Sequence, residues 1–195
     1  MERAALSQKK YEEYAYVLDY LPYGRPEETK PFKRGPLVQL VGESYFTLLE
    51  ATPIPGVALQ PGQKVYIGKG PRGEIEHIER RISYDELTPA AKDELPRIVE
   101  RIVEDDEARF VEFFNKAGPI TTRMHALELL PGIGKKGMWK IVEERKKAPF
   151  KSFEEIQQRT KIPDPKRMVV KRILSEIMEE DKYYIFTKPP SRQRF

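Results

Sequence analysis

The fold of the second half of this chain is decided by one short stretch, Leu129-Leu130-Pro131-Gly132-Ile133-Gly134-Lys135-Lys136. It lies between segments whose apolar residues recur at helical spacing, which predicts a tight turn between two helices. Gly132 and Gly134 lack a Cβ, so the turn can take a positive φ and leave backbone N–H groups accessible. N–H groups at the start of a helix bind anions, and Lys135 and Lys136 add positive charge there. The stretch therefore predicts a phosphate-binding turn.

An ordinary turn between antiparallel helices, with a glycine just beyond the first helix, is the alternative interpretation of this stretch. Pro131 supports a turn in either case, because the residue before a proline is disfavoured in a helix. The agreement of the turn, the lysines and the flanking apolar patterns favours phosphate binding.

The core of the stretch, Leu130-Pro131-Gly132-Ile133-Gly134, resembles the helix-hairpin-helix motif, whose pattern is apolar-Pro-Gly-apolar-Gly. The resemblance implies that backbone N–H groups hold the phosphates of one strand without reading the base sequence. This family usually has a small residue where the chain has Met138, a departure that bears on helix packing. The predicted nucleic-acid contacts are Gly132, Ile133, Gly134, Lys135, Lys136, Gly137, Lys140, Lys166 and Arg167.

The same resemblance implies a bound monovalent cation on hairpin carbonyls, which here belong to Glu128, Leu130 and Ile133. No other cofactor or metal is predicted. Because the chain has no cysteine, it has no disulfide, thiolate zinc site or cysteine nucleophile. Its two histidines, His77 and His125, are far apart in sequence, which argues against a histidine-rich metal site.

The composition indicates a globular protein with a highly charged surface, since 39% of the residues are hydrophobic and 34% are charged. The chain has no run of about 18 apolar residues, so no membrane span is predicted. Residues 1–7 lack the apolar core of a signal peptide. A cytoplasmic location is therefore the expectation.

The net charge of +4 is unevenly distributed along the chain. Residues 84–120 hold 5 Lys and Arg against 10 Asp and Glu, a net charge of −5. Residues 121–195 hold 18 against 10, a net charge of +8. Positive charge concentrated beside the glycine-rich turn is expected of a nucleic-acid binder, and an unevenly charged soluble surface is the alternative.

Residues 1–83 predict a small antiparallel β-barrel. Gly- and Pro-rich turns, with a loop over 22–33, separate short strands expected at 14–20, 37–41, 45–50, 64–67 and 74–78. A five-stranded barrel of the oligonucleotide-binding type is the most economical arrangement of these strands. Such a barrel can add single-strand contacts, or its aromatic side chains can fill its core. The candidates for single-strand contact are Tyr45, Phe46, Tyr66, Lys69 and Arg72.

Residues 84–182 predict an all-α domain. Thr88-Pro89 has the sequence of a helix start, and Pro96 predicts a break that divides this helix in two. A further helix is expected from about Asp105. The consecutive carboxylates at 104–107 fit the positive end of a helix dipole better than they fit a metal site.

Two hairpins are expected within this domain, the first over 122–147 and the second over 152–180. Ser152 and Glu155 predict a capped helix start in the second hairpin, and Asp164 predicts the N-cap of its last helix. The turn of the second hairpin, called the second turn and located around Asp164, lacks the Gly-apolar-Gly core and carries a negative charge, so it is predicted to be structural. Charge from the side of this hairpin would come from Lys166, Arg167, Lys171 and Arg172.

A catalytic function is a less favoured alternative. DNA repair glycosylases and lyases carry this hairpin with a lysine nucleophile after it and an aspartate further on. Lys136 matches the lysine, but near the aspartate position the chain has Glu154, beside a capped helix start. The larger helical scaffold of a flipped-base pocket and the clustered carboxylates of a metal-dependent nuclease are not found. We therefore predict that the protein is not an enzyme.

The order of a small β-barrel, a helical connector, the Leu-Pro-Gly-Ile-Gly stretch and a degenerate second hairpin resembles one family over nearly the whole chain. It is an archaeal family of uncharacterised, predicted RNA-binding proteins. The resemblance implies an α+β fold over 1–83 and 84–182, a basic tail over 183–195, and nucleic-acid binding without sequence specificity, with RNA favoured over DNA. A protein-interaction module of a nucleic-acid-processing complex is the alternative. The choice between RNA and DNA, the biological process and the oligomeric state stay open.

Overall fold

The computed structural model describes residues 11–26, 35–178 and 181–189 and divides the chain into two units, Met1–Ile82 and Ser83–Phe195. Much of the predicted loop over 22–33 and the end of the predicted basic tail lie outside the described residues.

A curled antiparallel sheet of five strands forms the first unit. The strands are β1 (Tyr14–Leu21), β2 (Leu37–Gly42), β3 (Leu48–Pro53), β4 (Lys64–Tyr66) and β5 (Ile75–Arg81). Their order in the sheet is β4-β1-β2-β3-β5, and every neighbouring pair is antiparallel. The predicted antiparallel strands and the mixed α+β class are confirmed, and in the described sheet β4 and β5 are the edge strands.

Both faces of this sheet carry buried side chains. Because successive side chains of a strand point to opposite faces, Val17 belongs to one face and Tyr16 to the other, and both are buried. The second face also buries the carboxylate of Glu50, which pairs with the guanidinium groups of Arg25 and Arg80. A buried charge needs such partners to be tolerated. The apolar cluster of the first face comprises Ala15, Val17, Val38, Leu40, Leu49, Ala51, Leu59, Val65, Ile67 and Ile75.

The strand predicted from residue 45 begins three residues later, at Leu48. The turn before it is held by the buried carboxylate of Glu12, which accepts backbone hydrogen bonds of 2.8, 2.9 and 3.2 Å from Ser44, Tyr45 and Thr47. These bonds fix residues 44–47 as a turn. Gly42 makes room for the carboxylate, since a Cβ on Gly42 would lie 2.1 Å from the Glu12 Cδ.

The second unit is mainly helical. Its helices are α1 (Pro89–Asp105), α2 (Glu107–Lys116), α3 (Lys135–Lys147), α4 (Phe153–Thr160) and α5 (Pro165–Met178). The predicted break at Pro96 is wrong, because α1 continues through this residue. Leu95, Ile98 and Ile102 are buried along one face of α1. Their burial stabilises the helix by about 1.5–3 kcal/mol each, which outweighs the roughly 3 kcal/mol cost of an internal proline.

The helix predicted from residue 122 is also wrong. Two short strands, β6 (Pro119–Thr121) and β7 (Met124–His125), pair there, and a four-residue 3-10 turn, Ala126–Leu129, follows them. The His125 Nδ1 accepts a hydrogen bond from the Leu127 N–H at 3.2 Å, and the Glu128 carboxylate accepts one from the His125 N–H at 2.8 Å. This reciprocal cap fixes the start of the turn at His125. The few residues left before Pro131 are too few for an α-helix.

The remaining helix starts follow the sequence prediction. The Ser152 Oγ accepts a hydrogen bond from the Glu155 N–H at 3.0 Å, and the Asp164 Oδ1 accepts one from the Arg167 N–H at 3.0 Å. The Glu155 carboxylate bonds to the N–H of Lys151 rather than to that of Ser152, so only half of the predicted capping box forms. α3 ends at Lys147, as predicted.

A segment after α5 is fastened to the helices by the carboxylate of Glu176, whose side chain is fully buried. This carboxylate pairs with the buried Arg172 at 2.9 Å and accepts backbone hydrogen bonds of 2.9–3.1 Å from residues 185–187. Arg172 was predicted to add surface charge, and this is wrong because its side chain lies inside the unit. None of the helices within the described ranges has the length and apolarity to cross a membrane.

Replacement of Glu176 by Ala should destabilise the second unit by about 3–5 kcal/mol, because it removes the acceptor of the buried Arg172 Nε and of several backbone N–H groups. Urea denaturation followed by far-UV circular dichroism measures this loss. Glu143→Ala on the exposed side of α3 is the control and should change stability by no more than about 0.5 kcal/mol. Equal stabilities of the two variants would contradict the role given to Glu176.

Candidate functional site

The turn predicted to bind phosphate is a tight hairpin between the 3-10 turn and α3. The Leu130 N–H bonds to the Leu127 carbonyl at 3.2 Å, and the Ile133 N–H bonds to the Leu130 carbonyl at 3.1 Å. Gly132 has a φ of +94°, which favours glycine. The side chain of Ile133 is buried, so this residue anchors the turn and offers only its backbone to a ligand. Gly134 needs no special conformation, since its φ is −94°.

α3 begins without a side-chain cap. Thr88, Ser152 and Asp164 each accept a hydrogen bond at the start of α1, α4 and α5, whereas the residue before α3 is Gly134, which has no side chain to do so. The first hydrogen bond at this end joins the Met138 N–H to the Gly134 carbonyl at 2.9 Å. Among the described residues, the N–H groups of residues 135–137 have no acceptor. They carry the positive end of the helix dipole.

The space in front of these N–H groups is open. No atom outside its chain neighbours lies within 4 Å of a Cβ built on Gly134, and Pro131, Gly132, Gly134 and Lys136 are all exposed. An anion can therefore approach the start of α3 directly.

The first and second turns lie side by side. A Cβ built on Gly132 would lie 3.1 Å from the Met168 Cε on α5, and one on Gly137 would lie 3.7 Å from the Ile162 Cδ1 in the second turn. Arg167 precedes Met168 in the chain and is exposed. This packing therefore brings the exposed part of α5 next to the first turn.

Lys135 and Lys136 have different roles in the structure. The Lys135 Nζ donates hydrogen bonds to the Glu128 carboxylate at 2.8 Å and to the Arg123 carbonyl at 2.7 Å. The ion pair lowers the pKa of the Glu128 carboxyl. Lys135 thus fastens the start of α3 to the 3-10 turn. Lys136 is exposed and makes no ion pair with any described residue, so its charge is available to a ligand.

Lys140 belongs to an ion-pair cluster around Glu144. The Glu144 carboxylate pairs with Lys140 at 3.1 Å, with Lys147 at 2.7 Å and with Arg159 of α4 at 3.7 Å. The hydrogen bonds from Lys147 and Lys140 lower the pKa of Glu144 to about 2. Lys140 therefore takes part in the ion pairs of α3, and it shares the single negative charge of Glu144 with Lys147 and Arg159.

Lys166 is committed as well, while Arg167 is not. The Lys166 Nζ pairs with Glu104 at 2.6 Å and with Glu100 at 3.5 Å, both on α1, and the hydrogen bond to Glu104 raises the pKa of Lys166. The side chain of Arg167 is exposed and has no ion-pair partner among the described residues. The structure thus places Arg167 at the solvent-exposed start of α5 and uses Lys166 to join α5 to α1.

The carbonyls implied for a monovalent cation keep free lone pairs. The Leu130 carbonyl accepts one hydrogen bond, from Ile133, and those of Glu128 and Ile133 accept none from the described residues. These oxygens have the lone pairs that a monovalent cation needs, and the binding of such a cation stays a prediction. Over the described part of the chain, no three His, Asp or Glu side chains come together in a way that could hold a metal ion.

The aromatic residues predicted for single-strand binding in the first unit are placed unequally. Phe46 is buried, and the Tyr66 hydroxyl accepts a hydrogen bond from the Gly70 N–H at 3.1 Å. The Arg72 Nε donates to the Gly68 carbonyl at 2.9 Å, which places Arg72 within the turn before β5. Tyr45 is half-buried. The Lys69 Nζ lies 5.4 Å from the centre of the Tyr11 ring.

Tyr66 also belongs to an aromatic pair on β1 and β4, and its partner Tyr14 comes from the tyrosine-rich first strand. Tyr14 packs edge-on against Tyr66 with ring centres 5.3 Å apart. The Lys64 Nζ lies 4.8 Å from the centre of the Tyr14 ring and pairs with Glu43 at 2.6 Å. The tyrosines of β1 allow either base stacking or core packing by sequence alone, because the period-2 pattern does not tell which of them is exposed.

Trp139 is a residue that the sequence did not single out. Met138, Trp139, Ile141 and Val142 are two apolar pairs on either side of Lys140, and their spacing does not separate the buried members from the exposed one. In the structure Trp139 is 58% exposed, while the other three are buried. The only tryptophan of the chain therefore lies on the outside of α3.

An acidic cavity of about 510 Å³ lies between α1, α4 and α5. Its carboxylates include Glu104, paired with Lys166, and Glu107, which accepts a hydrogen bond from the Phe153 N–H at 2.7 Å. The other acidic residues of its wall are Glu154 and Asp164. Several of these carboxylates thus already have structural partners.

Comparisons with known proteins place the chain among archaeal relatives. The sequence profile of a family described as "Protein of unknown function (DUF655)" matches residues 11–188. Uncharacterized protein MJ0038 of Methanocaldococcus jannaschii is 50% identical over 182 residues, which span 92% of this chain and 82% of that protein. The crystal structure of Af1531 from Archaeoglobus fulgidus, of the same family, matches with a TM-score of 0.82 and 53% identity, over 91% of this chain and 100% of that one.

The cap at His125 should make the stability of the second unit depend on pH. Burial, and then the charge of Arg145, lower the pKa of the imidazole below its ordinary value of 6.5, and only the neutral ring accepts the hydrogen bond from Leu127. The unfolded chain takes up a proton at His125 more readily than the folded chain does. The contribution of this hydrogen bond to stability is therefore complete above about pH 6.5 and is lost as the pH falls below that value.

Thermal melts at about pH 7.5 and about pH 5.5 measure this effect. His125→Asn should reduce the pH dependence, because asparagine also caps a helix but does not titrate in this range. His77→Asn in the first unit is the matched control and should leave the melting of the second unit as in the wild type. An unchanged pH dependence in His125→Asn would show that the cap does not act in this way.

Proposed function

We propose that this chain, which belongs to the DUF655 family, binds the sugar-phosphate backbone of nucleic acid through the start of α3. The observation that carries the proposal is the uncapped first turn of α3, whose N–H groups at residues 135–137 have no acceptor among the described residues and open space before them. Charge-assisted hydrogen bonds from such groups to an anion are among the stronger ones. A phosphate is the anion that the surrounding charges suit best.

The surrounding charges support a polyanion over a single small anion. Residues 121–195 carry a net charge of +8, and Lys136 and Arg167 are exposed without ion pairs among the described residues. These two residues come from α3 and α5, which the packing of Gly132 on Met168 brings together. A ligand with several phosphates can contact both at once.

The two turns would act as a tandem helix-hairpin-helix pair in which only the first binds. At the second turn, the Asp164 carboxylate already accepts the Arg167 N–H at 3.0 Å and repels an anion. A 3-10 turn takes the place of the first helix of the motif. Binding is therefore one-sided, and it is independent of base sequence because backbone groups make the contacts.

Two further parts of the proposal concern the ligand. The resemblance of the whole chain to predicted RNA-binding proteins favours RNA over DNA. The first unit would act as a small oligonucleotide-binding barrel, with the exposed ring of Tyr14 on β1 giving a single-strand contact. No reaction is assigned: Lys136 is a phosphate contact, and the proposal does not use Glu154 as a catalytic group.

A second candidate function is docking of a basic protein segment in the acidic cavity of the second unit. Glu154 and Asp164 line this cavity of about 510 Å³ beside the apolar side chains of Phe153 and Pro165. Such a site would make the protein an interaction module of a nucleic-acid-processing complex. Absence of nucleic-acid affinity at low salt would favour this function.

Gly134→Asp should separate nucleic-acid binding from folding. An aspartate at this position has room for its side chain and is a preferred N-cap, so the melting temperature should stay the same or rise. The carboxylate would occupy the free N–H groups and repel phosphate, so affinity for RNA should fall about tenfold or more. Fluorescence anisotropy with a labelled RNA measures the affinity.

Gly134→Asn is the matched variant, since it caps the helix without a charge and should lose less affinity than Gly134→Asp. A folded Gly134→Asp protein that binds RNA as tightly as the wild type would refute phosphate binding at α3.

The two adjacent lysines should respond differently to replacement by glutamine. Lys136→Gln should weaken binding to all sequences and lower the slope of log affinity against log salt by about one, with no change in melting temperature. Lys135→Gln should lower the melting temperature, because Lys135 fastens α3 to Glu128. Titrations at several salt concentrations, together with thermal melts, measure both effects.

Lys151→Gln, which removes an exposed charge beyond the other end of α3, is the control and should alter the salt slope less than Lys136→Gln does. The same salt slope for Lys136→Gln and the wild type would count against a phosphate contact at this residue.

A further inference from the structure

Trp139 is a large apolar side chain that α3 leaves in solvent. Its neighbours Met138, Ile141 and Val142 point into the unit and are buried, whereas Trp139 is 58% exposed. Packing within the second unit therefore does not account for a tryptophan at this position. Exposed aromatic side chains of this size are more common at binding surfaces than elsewhere on a protein.

The position of Trp139 on the helix relates it to the proposed phosphate site. Trp139 follows Lys136 by three residues, so the two side chains are neighbours on the helix surface, about 4.5 Å apart along the axis. Helical side chains lean toward the N-terminus of their helix and cover the preceding turn. The indole ring of Trp139 therefore lies beside the first turn of α3, where residues 135–137 offer their N–H groups.

We propose that Trp139 stacks on an unpaired base whose adjoining phosphate is held by the first turn of α3. The inference rests on the proposed function and narrows its ligand. In a regular duplex each base is stacked between its neighbours and cannot present its face to a side chain. The ligand is therefore RNA with an unpaired nucleotide, either a single strand or a bulge, rather than a continuous duplex.

The charges near Trp139 favour a nucleotide over an apolar protein surface. Lys136 lies one turn away without an ion-pair partner in the described ranges, and the chain from residue 121 onward carries a net charge of +8. An apolar partner would have to bury this lysine uncompensated. A nucleotide satisfies both groups, since its base covers the indole and its phosphate neutralises the ammonium.

The test uses the fact that Trp139 is the only tryptophan, so its fluorescence reports on this position alone. The full chain is titrated with three RNAs of related sequence: a single strand, a blunt duplex, and the same duplex with one bulged nucleotide. The single strand and the bulged duplex should quench the tryptophan fluorescence at saturation and bind more tightly than the blunt duplex. Binding of the blunt duplex should leave the fluorescence nearly unchanged.

Two variants complete the test, with far-UV circular dichroism as the check of folding. Trp139→Ala should lose about fivefold or more of its affinity for the single strand and the bulged duplex, as anisotropy measures it, and little for the blunt duplex. Trp139→Phe keeps a ring and should recover much of this loss.

Equal losses of affinity for all three RNAs in Trp139→Ala, or RNA binding without quenching in the wild type, would overturn the stacking proposal. If RNA binding still depends on Lys136 in that case, phosphate binding at α3 is retained, and the exposed indole would instead contact a protein partner. If the wild type binds none of the three RNAs at low salt, the proposed function itself fails, and the stacking proposal fails with it.

Discussion

The close packing of the hairpin turn before α3 against α5 is the constraint on which the arrangement of the second unit depends. At Gly132 the backbone comes so near the Met168 side chain that a Cβ would lie 3.1 Å from it, and the φ of +94° excludes most other residues as well. This contact fixes the start of α3 against the second hairpin. In the proposed function, the second hairpin would therefore hold the turn before α3 in place and supply α5 as a neighbouring surface without binding a ligand itself.

The charges of the second unit show that most lysines near the first turn serve the fold. Lys135, Lys140 and Lys166 each pair with a carboxylate, on Glu128, Glu144 and Glu104 respectively. The number of lysines in the sequence near the turn therefore overstates how many are available to a ligand there. Of the predicted contacts within the described ranges, the backbone dipole of α3, Lys136 and Arg167 remain for a ligand. A site of this kind recognises phosphate geometry more than total charge.

Features that depend on near neighbours in the chain could be predicted from the sequence. The positive φ at Gly132, the caps at Ser152 and Asp164, and the antiparallel strands of the first unit all follow from patterns within a few residues. α1 could not be predicted correctly, since its continuity through Pro96 depends on apolar burial against other elements. The prediction of a phosphate site also depends on one short stretch of sequence. The backbone groups in the proposed phosphate contact belong to residues that this stretch identifies.

The parts of the site that depend on distant residues could not be predicted. Lys166 pairs with Glu104, which lies 62 residues earlier in the chain, and no local pattern identifies such a partner. The exposure of Trp139 could not be predicted either, because four apolar residues close together on a helix do not reveal which one faces solvent. The 3-10 turn before Pro131 depends on the reciprocal bonds of His125 and Glu128, whose spacing resembles a capping box although histidine is not a usual member of one.

The bonds around Glu176 determine when the second unit can complete its folding during synthesis. Its carboxylate receives backbone N–H groups from residues 185–187, and Phe186 packs its ring 5.1 Å from that of Phe113 on α2. A nascent chain on the ribosome can form α1 to α5, with Glu176 paired to Arg172, before these residues emerge, but the Glu176 carboxylate then lacks the three backbone N–H groups that it accepts in the folded unit. Domains generally fold as units during synthesis, so the second unit can complete its folding only after residue 187 has left the ribosomal tunnel.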